Sequence, residues 1–286
     1  MKFGIIFANV GPWGLPDHAA AMAAAAEEFG IESVWTVEHV VVPKGYESAY
    51  PYSPTGRMPG PEDSPIPDPL IWLTYMAANS TNLRLATGVL ILPQRNPLVL
   101  AKELATLDQL SKGRLTLGVG VGWLAEEFAA LGVPFAERAA RTDEAIAALR
   151  AAWTQNPATY NGEFFDFTDV HVLPHPVQPD GVPIVVGGHT PAAARRAGRL
   201  GDGFFPAQST LEELPPLLEI MRKSAAEAGR DGDAIEVTAG GGLDLDTVKR
   251  YADLGVARLV IPPLAFDVDG LRAALGAFQE NVISKL

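Results

Sequence analysis

The sequence predicts a (β/α)₈ barrel with a hairpin inserted after the fourth βα unit and a long loop after the second strand. Three observations carry this expectation. Short β-branched runs alternate with amphipathic or Ala-rich stretches along the whole chain; eight such pairs can be counted; and the strands are apolar on both faces, as strands covered by helices must be. A doubly wound sheet usually stops at about five to seven strands, so eight units favour closure. No linker or step in composition divides the 286 residues, and one barrel domain over 1–286 is expected.

The elements follow in order. Residues 2–8 (KFGIIFA) form the first strand and 16–29 an Ala-rich helix closed by Gly30 as its C′ residue. Residues 33–37 (SVWTV) form the second strand. The next helix waits until 68–80, where Asp68 suits the N-cap and Pro69 the first helical position. Residues 83–92 and 115–121 supply strands three and four, followed by helices at 96–110 and 137–153. The pattern then breaks: ATYNGEFFDF alternates about Asn161-Gly162, a dipeptide that favours a two-residue type I′ turn. The βα order resumes with strands at 182–186, 203–206, 235–239 and 257–261, each followed by a helix, at 191–200, 211–228, 246–254 and 268–282.

Composition limits the partners. With 22 basic and 34 acidic side chains the formal charge is −12, and no basic stripe is offered to nucleic acid or an anionic membrane. Hydrophobic residues at 48% and charged residues at 20% place the chain among ordinary globular proteins. The absence of cysteine removes disulfides, thiolate metal sites and cysteine nucleophiles together. The opening MKFGIIFANV is too short for a signal peptide, and no apolar run reaches the roughly 18 residues of a membrane helix, so a soluble cytoplasmic protein is expected. The 28 glycines and 24 prolines, 52 of 286 residues, exceed the usual share of about 12%.

If the chain is a barrel, its site lies at the C-terminal ends of the strands. Strand two ends in Glu38-His39. A histidine there can hand over a proton or a hydrogen bond near neutral pH, or simply pack against a neighbouring carboxylate or carbonyl. The loop that follows gathers eight prolines between residues 43 and 69, with Tyr46, Tyr50, Tyr52, Arg57 and Met58, and reads as a wall or lid over a planar or acidic ligand or as a surface excursion. His171 and His175 are four apart, but Pro174 and Pro176 forbid the helix a metal pair would need, and no metal site is expected. Strand three carries Gly88-Val89 and then LPQRN, ending at Asn96. Strand four runs into Gly118, Gly120, Val121, Gly122 and Trp123; alternate glycines either leave one face open for a flat ligand or allow a tight bend. Strand five ends in Gly187-Gly188-His189-Thr190, with Thr190 as N-cap and Pro191 at the first helical position. The free N–H groups of that helix start, with Arg195 and Arg196 one turn further on, suit a phosphate, or mark a plain capped helix.

Taken together, SVWTVEH, LRLATGVLILPQRNPLVLAKELATLDQLSKGRLTLGVGVGW, GVPFAERAARTDEAI, YNGEFFDF and PIVVGGHTPAAARRAGRLGDGFFP resemble the luciferase-like monooxygenase superfamily, in its F420-dependent oxidoreductase branch. The resemblance spans essentially the whole chain and implies a TIM barrel with an inserted hairpin and a flavin or deazaflavin across the strand ends. It implies that Glu38 and His39 sit beside the ring and serve as catalytic residues. Gly88-Val89 would form a non-prolyl cis peptide behind the ring. Asn96 and Gly120 to Trp123 (Gly120, Val121, Gly122, Trp123) would line the cofactor, and Gly187, Gly188, His189 and Thr190 would hold its phosphate end. Two departures stand out. Sugar-phosphate dehydrogenases of this branch have a glutamate where Trp123 stands, and the usual aspartate before the histidine is Glu38. The implied activity is hydride transfer between coenzyme F420 and a small organic substrate under the 40–67 loop. The alternatives are an FMN-dependent monooxygenase and a non-catalytic flavin- or deazaflavin-binding protein. A homodimer through the second and third helices is expected.

Overall fold

The computed structural model describes residues 1–286. Its strands are β1 (Lys2–Ile6), β2 (Ser33–Thr36), β3 (Arg84–Thr87), β4 (Leu90–Ile91), β5 (Leu115–Gly120), β6 (Ala158–Asn161), β7 (Asp166–Val170), β8 (Ile184–Gly187), β9 (Gly203–Phe205), β10 (Glu236–Gly240) and β11 (Arg258–Ile261). Its helices are α1 (Pro16–Glu28), α2 (Pro69–Ala78), α3 (Pro97–Leu110), α4 (Ala125–Ala130), α5 (Arg138–Thr154), α6 (Pro191–Leu200), α7 (Leu214–Glu227), α8 (Leu245–Asp253) and α9 (Val268–Asn281). The sheet runs β3-β2-β1-β11-β10-β9-β8-β5, all parallel, and the pairing of β3 with β5 closes it. Short β4 continues β3 beyond Thr87 and pairs with β5, so the expected eight staves are present with the third broken in two. No helix is long and apolar enough to cross a membrane.

Period-two alternation sorts the strand residues. Phe3, Ile5, Leu85, Leu117, Ile184, Val186 and Leu259 join the layer between barrel and helices, while Ile6, Trp35, Ala86, Val185, Phe205 and Val260 form a separate cluster inside the barrel. The helices start where their caps say. The Asp68 carboxylate accepts from the N–H groups of Leu70 and Ile71, and Thr190 Oγ1 accepts from Ala193 N.

Two expectations need correction. The hairpin turn is not a two-residue type I′ turn: Asn161 pairs with Asp166, leaving the four residues 162–165 as the loop. The reason is Glu144 on α5, whose carboxylate accepts from the N–H groups of Glu163, Phe164 and Phe165 and so holds an open turn against the barrel wall. Helix α4 is the second: it stands between β5 and α5, where the sequence predicts no helix before 137.

The N-terminal end of the barrel is stoppered by Arg258, almost fully buried, which donates to Glu32, Glu236 and Thr238 and lies under the Trp35 ring. Burial would raise the Glu32 and Glu236 carboxyls, but the guanidinium outweighs it and holds both below their ordinary value of 4.5. Carboxyls depressed in the folded state stabilise it above that value and lose their contribution as pH falls below it. Arg258→Met should therefore lower stability by about 3 kcal/mol at pH 7 in urea unfolding. The gap to the native protein should narrow as the pH is taken down from 4.5.

Candidate active site

The floor of the site is Val89. A cis peptide joins Gly88 to Val89, as the sequence resemblance implied. The Val89 side chain packs on the interior cluster of Ile6, Trp35, Ala86, Val185, Phe205 and Val260. A Cβ on Gly120 would lie 2.5 Å from its Cγ2, and one on Gly187 would lie 2.5 Å from its Cγ1. The two glycines thus face the same valine from β5 and β8. Gly118 is as constrained, since a Cβ there would stand 1.9 Å from the Thr87 carbonyl oxygen. Gly122, at φ +80°, packs against Phe128 and Ile91. Of the two readings of the strand-four glycines, an open face for a flat ligand or a structural demand of the backbone, the structure supports the second: their missing side chains make room for the protein itself.

His39 stands at the rim after β2 and is braced by a residue the sequence reading missed. Glu127 on α4 is fully buried, and its Oε2 lies 2.9 Å from His39 Nδ1. Its other oxygen accepts from Val40 N at 2.7 Å and Val41 N at 3.2 Å. A carboxylate with two backbone donors on one oxygen only accepts, which places the His39 proton on Nδ1 and leaves Nε2 without a protein partner. The neighbouring Glu126 binds the lid one step further out, accepting from Glu47 N at 2.7 Å and Ser48 N at 3.0 Å. The Ser48 hydroxyl and the Glu47 N–H hold its carboxyl down at about 2. Two adjacent glutamates just past a strand-end loop were the available signal, GWLAEEF, but nothing local says which way they face.

From there the lid crosses the mouth on aromatic contacts. Trp123 meets His39, Tyr46 and Tyr50 edge-on at 5.6, 5.5 and 5.1 Å; Tyr50 meets Tyr52 at 5.4 Å; and Tyr52 meets His189 at 5.0 Å. Burial, with Tyr52 and Tyr46 beside it, pushes the Tyr50 phenol up to about 12, so it remains a hydroxyl. The two ends of the lid are pinned by Asn9, whose side chain bonds Val37 N, Val37 O and Pro67 O. Tyr46 is buried and anchors the turn through its hydroxyl to Met58 N at 3.0 Å, with Arg57 over its ring. The 40–67 segment is therefore a docked cover rather than a free excursion.

Three predicted residues are placed differently. Glu38 is buried and committed to structure, accepting from Ile91 N at 2.6 Å and pairing with Arg95, which also reaches Asp68 at 3.2 Å. Burial pushes its carboxyl up against the opposing pull of Arg95. Asn96 caps α3, its Oδ1 accepting from Leu98 N and Val99 N, and so is spent on the helix. Arg196 is buried against Asp143 and the Ala139 carbonyl and Arg199 pairs with the same Asp143, which leaves Arg195 as the exposed cation of α6 without a carboxylate partner. Gly188 donates to Phe205 O at 3.0 Å and adopts φ +121°, a backbone setting glycine suits. Val121 lies half-buried in the same strand-end loop as Trp123. The start of α6 keeps the N–H groups of Thr190 and Ala192 outside the helix ladder, and His189 Nδ1 beside it is buried without a partner. A groove of about 310 Å³ borders His39 and is lined by the Glu38–Arg95 pair, Asp68 and Leu131, with neither Val89 nor Trp123 in its wall.

Several proteins similar to this chain are oxidoreductases. An F420-dependent glucose-6-phosphate dehydrogenase of Kineococcus radiotolerans is 34% identical over 229 residues, which is 78% of this chain and 62% of that protein. An uncharacterized protein of Mycobacterium tuberculosis is 34% identical over 274 residues, 93% of this chain and 94% of its own length. Two solved structures share the fold: an F420-dependent secondary alcohol dehydrogenase in complex with an F420–acetone adduct (TM-score 0.80, 18% identity, 99% of this chain and 98% of that one); and the oxygenating constituent of a Baeyer–Villiger monooxygenase from Pseudomonas putida in complex with FMN (TM-score 0.66, 22% identity, 88% and 71%). The protein is an enzyme of that broad class. It belongs to the luciferase-like monooxygenase family, whose model matches residues 1–244.

The floor can be tested directly. Gly120→Ala should cost about 1–3 kcal/mol in urea unfolding, because the β-branched Val89 has little rotamer freedom with which to yield. Adding Val89→Ala should recover part of that loss, giving a coupling that independent sites would not show.

Proposed function

We propose that the protein is an F420-dependent oxidoreductase that moves a hydride between coenzyme F420 and a small organic molecule bound beneath the 40–67 lid. The observation that carries the reading is the His39–Glu127 pair at the rim, a fixed proton-handling group beside a floor and wall that are otherwise apolar. The choice of F420 over FMN is supported by the 34% identical dehydrogenase of Kineococcus radiotolerans. The family description and the FMN-bound Pseudomonas neighbour support the second reading, a flavin-dependent monooxygenase.

The residues suit such a cofactor. The start of α6, with its free N–H groups, the unpartnered His189 Nδ1 and the exposed Arg195, fits an anionic tail. Val89, Trp123 and His39 would border the ring. The bound deazaflavin would supply a two-electron hydride carrier. The protein then orients and handles the proton: Glu127 fixes the His39 ring and tautomer, His39 Nε2 accepts or returns the proton of the substrate oxygen, and the docked lid excludes water.

Titration with F420 and with FMN, read by quenching of tryptophan fluorescence, should show the tighter binding for F420; undetectable F420 binding would sink the proposal. His39→Ala should keep cofactor affinity within about threefold and lower turnover by roughly 100-fold or more. Glu127→Gln should do the same less severely, because its amide presents a donor to a ring nitrogen that already carries a proton.

A second copy of the chain is the proposed partner. Ile71 on α2 and Val99 on α3 are 75% and 58% exposed on adjoining helices, an apolar surface a homodimer would cover. Light scattering should give a dimer mass of twice 30.4 kDa, and Ile71→Lys with Val99→Lys should give the monomer mass.

A further inference from the structure

The groove of about 310 Å³ beside His39 is built by four separate stretches of chain. Val40 stands where the lid begins and Ile66 where it ends, Gln94 and Arg95 lie between β4 and α3, and Leu131 closes α4. The volume falls at the lower end of the roughly 300–1,000 Å³ of small-molecule pockets, and aliphatic side chains share the wall with a few polar ones, as they do in such pockets. Two of those polar side chains have hydrogen bonds unmade. The Gln94 amide has no donor for its Oε1 and no acceptor for its Nε2, and both atoms are buried. Arg95 Nε is buried and unpartnered as well, although its Nη2 serves Glu38 and Asp68.

Buried polar atoms are almost always paired, because one left unpaired forfeits the solvation it gave up. Three such atoms on consecutive residues at the edge of one groove call for a partner from outside the chain. Gln94 can turn its amide to meet that partner without breaking a bond, since the terminal torsion is soft and the amide holds none. The chemistry of the partner follows from what the wall offers. A carboxamide presents a donor and an acceptor side by side, and the group that answers both at once is another amide edge, with N–H and C=O on the same side. Lactams, imides and primary carboxamides have that edge. The Glu38 and Asp68 carboxylates outnumber the Arg95 guanidinium, which disfavours an anion; the guanidinium already bonds both, which leaves them little for a cation. Val40, Ile66, Pro69 and Leu131 suit a small apolar ring or chain.

We propose that this groove binds a small uncharged molecule through an amide edge paired with Gln94, its apolar part against Ile66 and Leu131, and that the bound molecule clamps the two ends of the lid. Without a ligand the lid ends are held by the Asn9 side chain and by Glu127 at Val40 and Val41. A molecule that touches Val40 and Ile66 together adds a tie between them and favours the docked lid over any opened one. Of the residues given to the cofactor ring only His39 borders the groove. The proposal therefore goes beyond the oxidoreductase reading and does not depend on which cofactor binds.

Calorimetric titration of the full chain with ε-caprolactam tests this. The lactam should bind about tenfold tighter than cyclohexanone, which lacks the N–H, and than cyclohexanecarboxylate, an anion, as one hydrogen bond lost implies. Gln94→Leu should remove most of that preference. Because Gln94 is partly buried, Val40→Trp is the second variant: from an exposed position its bulk grows into the groove, and it should weaken lactam binding with an unchanged melting temperature. Trypsin reads the lid, since Lys44 and Arg57 are exposed on it. Saturating lactam should at least halve the rate of cutting after these residues in the native protein and leave the rate in Gln94→Leu as it was. No lactam binding at millimolar concentration, equal binding of the two control compounds, an affinity that neither variant changes, or cutting that the lactam does not slow overturns the proposal. Failure of F420 to bind while the lactam still does would overturn the cofactor reading and leave this site standing.

Discussion

The mouth of the barrel depends on one contact, the Val89 side chain wedged between Gly120 and Gly187. A closed eight-stranded barrel is packed to its axis by side chains, so a ligand must lie on top of that packing rather than in it. Val89 packs on the interior cluster that holds Phe205 and Trp35, with Arg258 under the Trp35 ring at the opposite end. Because β-branched Val89 has little rotamer freedom, the staves that carry it and its two glycines hold a fixed spacing. His39, Trp123 and His189 leave the barrel from β2, β5 and β8, close to that fixed point, and their mutual geometry is inherited from it.

Above this floor the surplus of negative charge has a structural use. Glu127 gathers the N–H groups of Val40 and Val41, Glu126 those of Glu47 and Ser48, and Glu144 those of Glu163, Phe164 and Phe165. Glu27 does the same for Thr81, Asn82 and Leu83, and Asp108 for Val177 and Gln178. Arginines mirror the device on carbonyls: Arg114 takes those of Ala77, Leu83 and Ser111, and Arg230 those of Gly198 and Gly201. Each ionised group satisfies several backbone groups that a loop would otherwise leave to water. Part of the acidic surplus is thus the signature of pinned loops rather than of a ligand.

That distinction marks what the sequence could disclose. The barrel was legible because strand period, apolar faces and caps are local properties, and even the glycine-ended strands and the residues of the lid could be located. The meaning of the glycines was not legible, since whether a missing Cβ makes room for a ligand or for Val89 depends on a strand some thirty to a hundred positions away. Glu38 and Glu127 show the same limit. The first lies next to His39 in sequence and points to Arg95; the second lies 88 residues on and holds the histidine. The Asn161-Gly162 turn was misread for the same reason, because Glu144, on the preceding helix, decides its length. Arg196 likewise looked free until Asp143 was brought against it.

The sharing of Glu127 ties two functions together. One carboxylate orients the His39 ring and holds the first residues of the lid, Val40 and Val41. If the lid swings out far enough to break those backbone bonds, a fully buried carboxylate loses two of its three donors, and the remaining histidine contact must change as well. Conversely, a His39 that takes a proton on Nε2 becomes a cation bonded to that same carboxylate, which strengthens the brace under the lid at the moment a substrate proton has been removed. On the proposed function, lid closure and proton transfer would be coupled through this single side chain. Such a coupling would need no change in the barrel, because Glu127, His39, Val40 and Val41 all lie outside its strands.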